Sequence, residues 1–420
     1  MTTLTPIRSG TAGATRDLKL AVLGSFYLPR ANVLQRMTGF TAGEWEKVMG
    51  WLDMSGMALY FLDQMWSLGA DQLMPASVEA QLHDRLKDNR LRTKAMLNET
   101  RLLSIWFERA GIPHAVLKGI TLAPQSVPDT SLRWQADLDF LVPEQNAALA
   151  VHFISRLGYG LHARSGSTLE FRAGPARLSG LRNMYSTRLT RALELHLAGE
   201  SSSAADRLSR RQAREVGGGI VSSLAPADIL VQQALHLLKH LLGEHTRISW
   251  VLEFWRHVQA RRGAAEFWRD VEQIAISERN GDLAMSIAFW LAEALFDAPG
   301  GIPPPHWRAD RLPDRVRVWL EMYAVDVLLS DGAGSKTYAL LKQEIPGESQ
   351  DKRSLRQVLL PSTLPIRGMS ISTESAAGLH EPLMTQLRYT AQRCRFHIVE
   401  GIRFAFRAAR WRRAIARCSL

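Results

Sequence analysis

Cysteine is scarce: the 420 residues hold two, Cys394 and Cys418, both near the end of the chain. No disulfide framework can be built from them, so stability has to come from a packed core, and a cytoplasmic location is expected. Long apolar runs are also missing. A membrane-spanning helix needs about 18 or more apolar residues in succession. The closest approach, Leu283 to Phe296, is broken by Ser286 and Glu293, which predicts a buried helix and no transmembrane segment. Met1 to Arg8 lacks the apolar stretch and small-residue cleavage site of a secretory signal. No internal repeat is present. Acids are scarce at one place only. From Arg388 to Arg417 nine arginines stand against the single acid Glu400, a net +8 out of the +11 of the whole chain. The remainder is close to neutral, which removes most of the argument from overall basicity to a nucleic-acid substrate.

What is present is enough apolar residue, 46%, for a sizeable core and two or three domains, or one large domain with appendages. Residues 42–109 read as consecutive helices, with Trp51, Met54, Leu59, Leu62, Met65 and Trp66 at three- and four-residue spacings. A longer helix is expected from Val78 to Ala110, with Leu82, Leu86, Leu91, Ala95, Leu97, Leu102 and Ile105 roughly on one side and Gly111-Ile112-Pro113 as its stop. The period then changes. Strands are expected at 114–117, 136–142, 168–171 and 192–197, a helix at 146–157, and a helical start at 119–123. Further helices are expected from Pro226 to Leu242, Trp250 to Arg261 and Ala264 to Ile276. Ala298 to Pro305 reads as a linker and Pro346 to Pro382 as a second irregular stretch.

The segment Arg133-Trp134-Gln135-Ala136-Asp137-Leu138-Asp139-Phe140-Leu141-Val142 sets two carboxylates on the same face of an apolar strand. Burying one unpaired carboxylate is costly and a second adds repulsion, so something positive has to face them, and a divalent cation is the natural candidate. A third carboxylate from a neighbouring strand would complete a site able to clamp two such ions. Glu194 suits this. In Leu193-Glu194-Leu195-His196-Leu197 the leucines share one face and Glu194 and His196 the other.

The order of a long helix, then Gly111 to Gly119 with Leu117-Lys118-Gly119, then Asp137-Leu138-Asp139-Phe140-Leu141-Val142, then Glu194-Leu195-His196-Leu197, resembles the uncharacterised nucleotidyltransferase family of the DNA polymerase β superfamily. The likeness extends through the helical run from Leu224 to His240 and the Trp250 region, covering residues 45–280. It implies an α+β fold, a small mixed β-sheet core flanked by helices with helical N- and C-terminal regions. It also implies Asp137, Asp139 and Glu194 as catalytic carboxylates and ligands of Mg²⁺, with two ions expected and Mn²⁺ possible. The implied reaction moves a nucleoside monophosphate from an NTP to an acceptor hydroxyl, with pyrophosphate leaving. The acceptor stays open among a small molecule, a protein or peptide, and RNA. The expected domains are an N-terminal helical region (1–95), the α/β core (96–200), a helical domain completing the cleft (201–295), and a C-terminal region with Pro/Gly-rich linkers and a basic helical tail (296–420).

Many superfamily members carry a Gly-Ser pair after the first strand, and Lys118-Gly119 stands there instead, as in the family resembled. Gly24-Ser25 has no acid pair at a suitable distance and is read as a chance match. Gly119 would let a phosphate approach the backbone, while Lys118 and Arg133 are candidates for triphosphate charge. His196 could orient Glu194 or a metal-bound water, or be structural. His236 and His240, four apart on a helix with Lys239 between, could contact phosphate or base, though no third ligand makes them a metal site. The missing Gly-Ser pair motivates an alternative, a catalytically inactive fold used to bind nucleotide or a partner. The tail is open three ways. Ile398, Ile402 and Phe406 form a helical stripe, with Arg395 and Arg413 near it and Phe396, Phe404 and Trp411 interleaved with arginine. This suits a membrane surface, nucleic acid, or a helix packed on the body with its charges solvated.

Overall fold

Two of the expected strands lie at the middle of a single seven-stranded sheet. The computed structural model describes residues 11–27, 34–173, 184–186, 191–296, 304–330, 335–347 and 383–418. The strands are β1 (Ala115–Leu117), β2 (Asp137–Pro143), β3 (Gly160–Ser165), β4 (Thr168–Ala173), β5 (Arg191–Ala198), β6 (Gln212–Val216) and β7 (Gly219–Ser223). Their order across the sheet is β3-β4-β5-β2-β1-β7-β6. The pairs β2–β5 and β1–β7 are parallel and the others antiparallel, so the sheet is mixed.

Helices α1 (Thr11–Gly24), α2 (Ala42–Ser55), α3 (Ala58–Ser67) and α4 (Ala76–Arg109) precede the sheet; α5 (Ala147–Arg156) and α6 (Ser203–Ser209) connect its strands. After it come α7 (Pro226–Leu241), α8 (Ile248–Ala260), α9 (Ala265–Ser277) and α10 (Gly281–Phe296). Short α11 (Asp314–Trp319), α12 (Val325–Leu328) and α13 (Tyr338–Lys342) lead to the long α14 (Leu383–Cys418). Pro226 sits in the first turn of α7, where its missing N–H costs nothing. Among the described residues no helix is long and apolar enough to cross a membrane. Gly119–Leu122 forms a single 3₁₀ turn, and Gly24 ends α1, with Ser25 Oγ donating to the Val22 carbonyl.

The alternation of the strands sorts their side chains. Leu138, Phe140, Val142, Leu193, Leu195, Leu197 and Phe171 meet Met96, Leu103 and Phe107 of α4 and Ala150 and Ile154 of α5 in one core. A second, larger core joins the opposite face, through Ala115 and Leu141, to the helices on either side of the sheet in sequence. The acids therefore lie on the face turned toward the helical body.

The stripe expected along α4 holds at Leu82 and Leu86 and is corrected beyond them. Leu91, Leu102 and Ile105 are 54%, 38% and 43% exposed, while the buried face runs through Leu82, Arg85, Asn89, Arg92, Met96, Leu103 and Phe107. The middle of that face is polar because it holds backbone rather than core. Arg85 makes a two-pronged pair with Asp53 at 2.8 and 2.9 Å. Asn89 donates to the carbonyls of Ser131 and Arg133, and Arg92 to those of Gln135 and Ala136. The chain entering β2 is thus clamped onto α4 by the amide of Asn89 and the charged guanidinium of Arg92.

Strands β3, β6 and β7 and helix α6 add to the elements read from sequence. Most of Ala298–Pro305 and nearly all of Pro346–Pro382 lie outside the described residues.

Candidate cation and phosphate site

Strand β2 runs beside β1 on one edge and β5 on the other, with Asp139 opposite Leu117 and Glu194 and Asp137 opposite Ala192. Register therefore sets the Asp139 and Glu194 side chains next to each other on one face. Two residues further along β5, His196 shares that face. Its Nε2 lies 3.0 Å from Asp139 Oδ1 and 3.4 Å from Glu194 Oε2, and its Nδ1 lies 3.1 Å from Thr168 Oγ1. Ligand atoms of Asp139, Glu194 and His196 all lie within 4.8 Å of one another, a group able to hold a metal ion. Asp137, one pair back along the strand, is not in that tight group. His196 thus stands among the carboxylates themselves.

The turn after β1 supplies the positive charge. Lys118 adopts φ 48°, ψ −155°, a conformation rare for a residue with a side chain, and Gly119 follows at φ 45°. The Lys118 carbonyl accepts from both the N–H (2.9 Å) and Oγ1 (2.8 Å) of Thr121, which fixes the turn. Lys118 Nζ reaches back to Asp139 Oδ1 at 3.0 Å. Gly119 is required twice over: its φ is positive, and a Cβ there would fall 2.3 Å from Oε1 of buried Gln135.

The two acids of β2 respond oppositely to this setting. Burial pushes the Asp137 carboxyl up to about 6, with the charge of Asp139 adding to it and Lys118 only partly offsetting. Asp139 is buried too, which alone would raise it, but Lys118 and the imidazole of His196 hold it well below the usual carboxylate range. His196 is raised: burial opposes its charged form, and the bonds to Asp139 and Glu194 outweigh that. One carboxylate of the pair is thus ionised and paired, while the other still lacks positive charge.

Arg133 is anchored to the helical body. Its Nε donates to both oxygens of Glu253 on α8, at 3.1 and 3.2 Å, and Tyr60 donates to the same buried carboxylate at 2.9 Å. This ties the loop before β2 to the helical body. On α7, His236 and His240 meet edge to face one turn apart, with ring centroids 4.5 Å from each other and 4.6 and 4.5 Å from Trp250. Burial drives both down, His240 to about 4 and His236 further, and the charge of Lys118 reaches each of them. Both are neutral near pH 7 and offer ring faces and hydrogen bonds rather than positive charge. Lys239, between them, points to solvent.

Sequence reading missed Arg247. Its guanidinium lies 4.6 Å from the ring of Trp134, just before β2, and 5.5 Å from Trp250. Burial and the charge of Arg133 lower it to about 10, with Asp137 partly offsetting. No hydrogen-bonded or ion-paired partner for it is found among the described residues. A lone arginine before a helix carries no signal of this in sequence; the flanking indoles come from separate segments.

None of the curated proteins matches the sequence. One solved structure similar in part is an antigenic nucleotidyltransferase-like protein from Paracoccidioides brasiliensis, at 13% identity and a TM-score of 0.28, covering 47% of this chain and 96% of that one. A likeness that slight carries no weight. The family model described as an uncharacterised nucleotidyltransferase matches residues 41–297, more than half of the chain and the whole stretch holding β1, β2, β5, α7 and α8. On that match, the chain belongs to the uncharacterised nucleotidyltransferase family.

Proposed function

We propose that the protein is a divalent-cation-dependent nucleotidyltransferase that moves a nucleoside monophosphate from an NTP to an acceptor hydroxyl. The observation that carries this is the register of Asp139 with Glu194 on neighbouring strands, with Asp137 on the same face and short of positive charge. Asp137, Asp139 and Glu194 would hold the cation. Their oxygen donors suit Mg²⁺, and the nearby imidazole suits Mn²⁺ better. A bound cation would offset the charge of the carboxylates and of the phosphates brought to them.

The residues of the chain then divide the work. Gly119 leaves its backbone open to a phosphate, and Lys118 is poised to exchange Asp139 for a phosphate oxygen. Arg247 brings a guanidinium not spent on a carboxylate, held between two indoles so that little freedom is lost on binding. Arg133 positions the β2 loop through Glu253, and His236, His240 and Trp250 form a neutral wall against the substrate. The acceptor oxygen attacks the α-phosphorus, the bond to the bridging oxygen breaks, and pyrophosphate leaves. Glu194, whose side chain is 33% exposed, takes the hydroxyl proton. The helices that follow the sheet, α7 to α10, close the cleft over it, and a cytoplasmic pool of NTP supplies the donor.

A second reading has its own support. Lys118 and His196 already bond Asp139 Oδ1 at 3.0 Å each, which would suit an inactive fold that binds nucleotide without turning it over. Pyrophosphate release separates the two. Purified protein with Mg²⁺ or Mn²⁺, each NTP and a host extract should release pyrophosphate, and Asp137→Ala/Asp139→Ala should not. Tight Mg·NTP binding by calorimetry with no release over a broad acceptor panel would select the second reading.

A further inference from the structure

Helix α14 shows an apolar stripe on its outer side. Its inner face is packed: Phe404, Ala408 and Trp411 are buried, Tyr323 donates to the Arg407 carbonyl, and His397 and Glu400 are buried beside them. With that face fixed, the outer one would ordinarily be polar. Instead Ile398, Ile402 and Phe406, at four-residue spacing, are 60%, 57% and 74% exposed, with Val399 beside them. The stripe runs about 12 Å along the helix.

The charges around it have one sign. Arg395 precedes the stripe, Arg403 flanks it, and Arg410, Arg412, Arg413 and Arg417 follow it, all exposed. The one acid of this stretch, Glu400, is buried and bonds Arg403 within the helix at 2.8 Å. Arg393 and Arg407 turn inward, to Glu244 and Ser335. Among the described residues no carboxylate pairs with Arg395, Arg410, Arg412, Arg413 or Arg417.

We propose that the exposed face of this helix docks on an anionic lipid surface, with Ile398, Ile402 and Phe406 entering the headgroup boundary and the surrounding arginines pairing with lipid phosphates. Arginine stems long enough to lie along the apolar stripe while their guanidinium groups reach the phosphates fit this geometry. A second copy of the chain fits less well, because facing helices would oppose six exposed arginines to six more. Nucleic acid would satisfy the arginines and could stack a base on Phe406, but it would leave Ile398 and Ile402 with nothing gained from their burial. The helix lies well outside the carboxylate site in sequence, so docking and nucleotide chemistry can be lost separately.

The test is flotation of the full-length protein with vesicles of phosphatidylcholine alone and of equal parts phosphatidylcholine and phosphatidylglycerol. Binding is expected to the anionic vesicles only and to weaken with salt. Ile402→Ser/Phe406→Ser and Arg410→Glu/Arg413→Glu change exposed residues and should each weaken it by about tenfold or more. Unchanged circular dichroism and pyrophosphate release would show that fold and site survive. The proposal is overturned by no binding to anionic vesicles, by equal binding to neutral ones, by binding that survives Ile402→Ser/Phe406→Ser, or by a polynucleotide that binds without regard to that variant. A dimer in solution that Phe406→Ser dissociates would overturn it in favour of self-association.

Discussion

Asp137→Asn should stabilise the free protein at neutral pH while destroying its activity. The native carboxyl is pushed up to about 6 against an ordinary 3.8, by burial first and by Asp139 second. Below pH 4 the group is protonated in both the folded and the unfolded chain and makes no difference. Between about pH 4 and 6 the unfolded chain loses this proton while the folded one keeps it, so stability falls as pH rises. Two pH units at about 1.4 kcal/mol each set the loss at roughly 3 kcal/mol above pH 6. Asparagine keeps the shape without the charge and should recover much of it. Chemical denaturation of both proteins from pH 4.5 to 8, without divalent cation, measures the difference directly. The variant should gain on the wild type as pH rises and then level off. Excess Mg²⁺ or Mn²⁺ should stabilise the wild type by about 1–3 kcal/mol at ten to a hundred times its Kd, and the variant much less. A variant less stable than wild type at pH 8, by an amount independent of pH, would refute the electrostatic argument.

Gly119→Ala should cost about 1–3 kcal/mol, because of its positive φ and the clash with Gln135, and adding Gln135→Ala should return part of it; paired denaturation curves check this. Arg133→Met should destabilise by about 3–5 kcal/mol by stranding the buried Glu253 carboxylate. Arg133→Met with Glu253→Gln should be the more stable protein, as thermal unfolding would show. Arg247→Ala touches no ion pair and should keep the fold while raising the KM for NTP about tenfold or more, since charge-assisted contacts to phosphate are worth roughly 1.5–3 kcal/mol. Steady-state pyrophosphate release reads that change.

Much of the sheet could be read from side-chain period. The alternation in Leu193 to Leu197 fixed which face of β5 carries Glu194 and His196, and the run from Asp137 to Val142 fixed β2, because a sheet with one buried face leaves that pattern in its sequence. What the pattern could not supply was the neighbour. That His196 reaches Asp139 depends on the β2–β5 register, a long-range pairing. The edge strands β3 and β6 were illegible for the opposite reason, since most of their residues are exposed and carry no alternation. In β7, Ser222 and Ser223 occupy positions where apolar residues would signal a strand, and Ser222 Oγ donates to the His114 carbonyl. The long helix α4 misled because its buried face is polar in the middle: Arg85 pairs with Asp53 of α2, and Asn89 and Arg92 bond the loop before β2, so the leucine spacing that held at Leu82 and Leu86 failed at Leu91, Leu102 and Ile105.

The central claim is that the carboxylates of β2 and β5 serve nucleotide transfer. Incubating the protein with α-labelled NTP, Mg²⁺ or Mn²⁺ and host extract, and following the label, tests it most directly. The account predicts label carried covalently onto an acceptor by the wild type, and none by Asp137→Ala/Asp139→Ala of unchanged fold. Equal labelling by that double variant would contradict it.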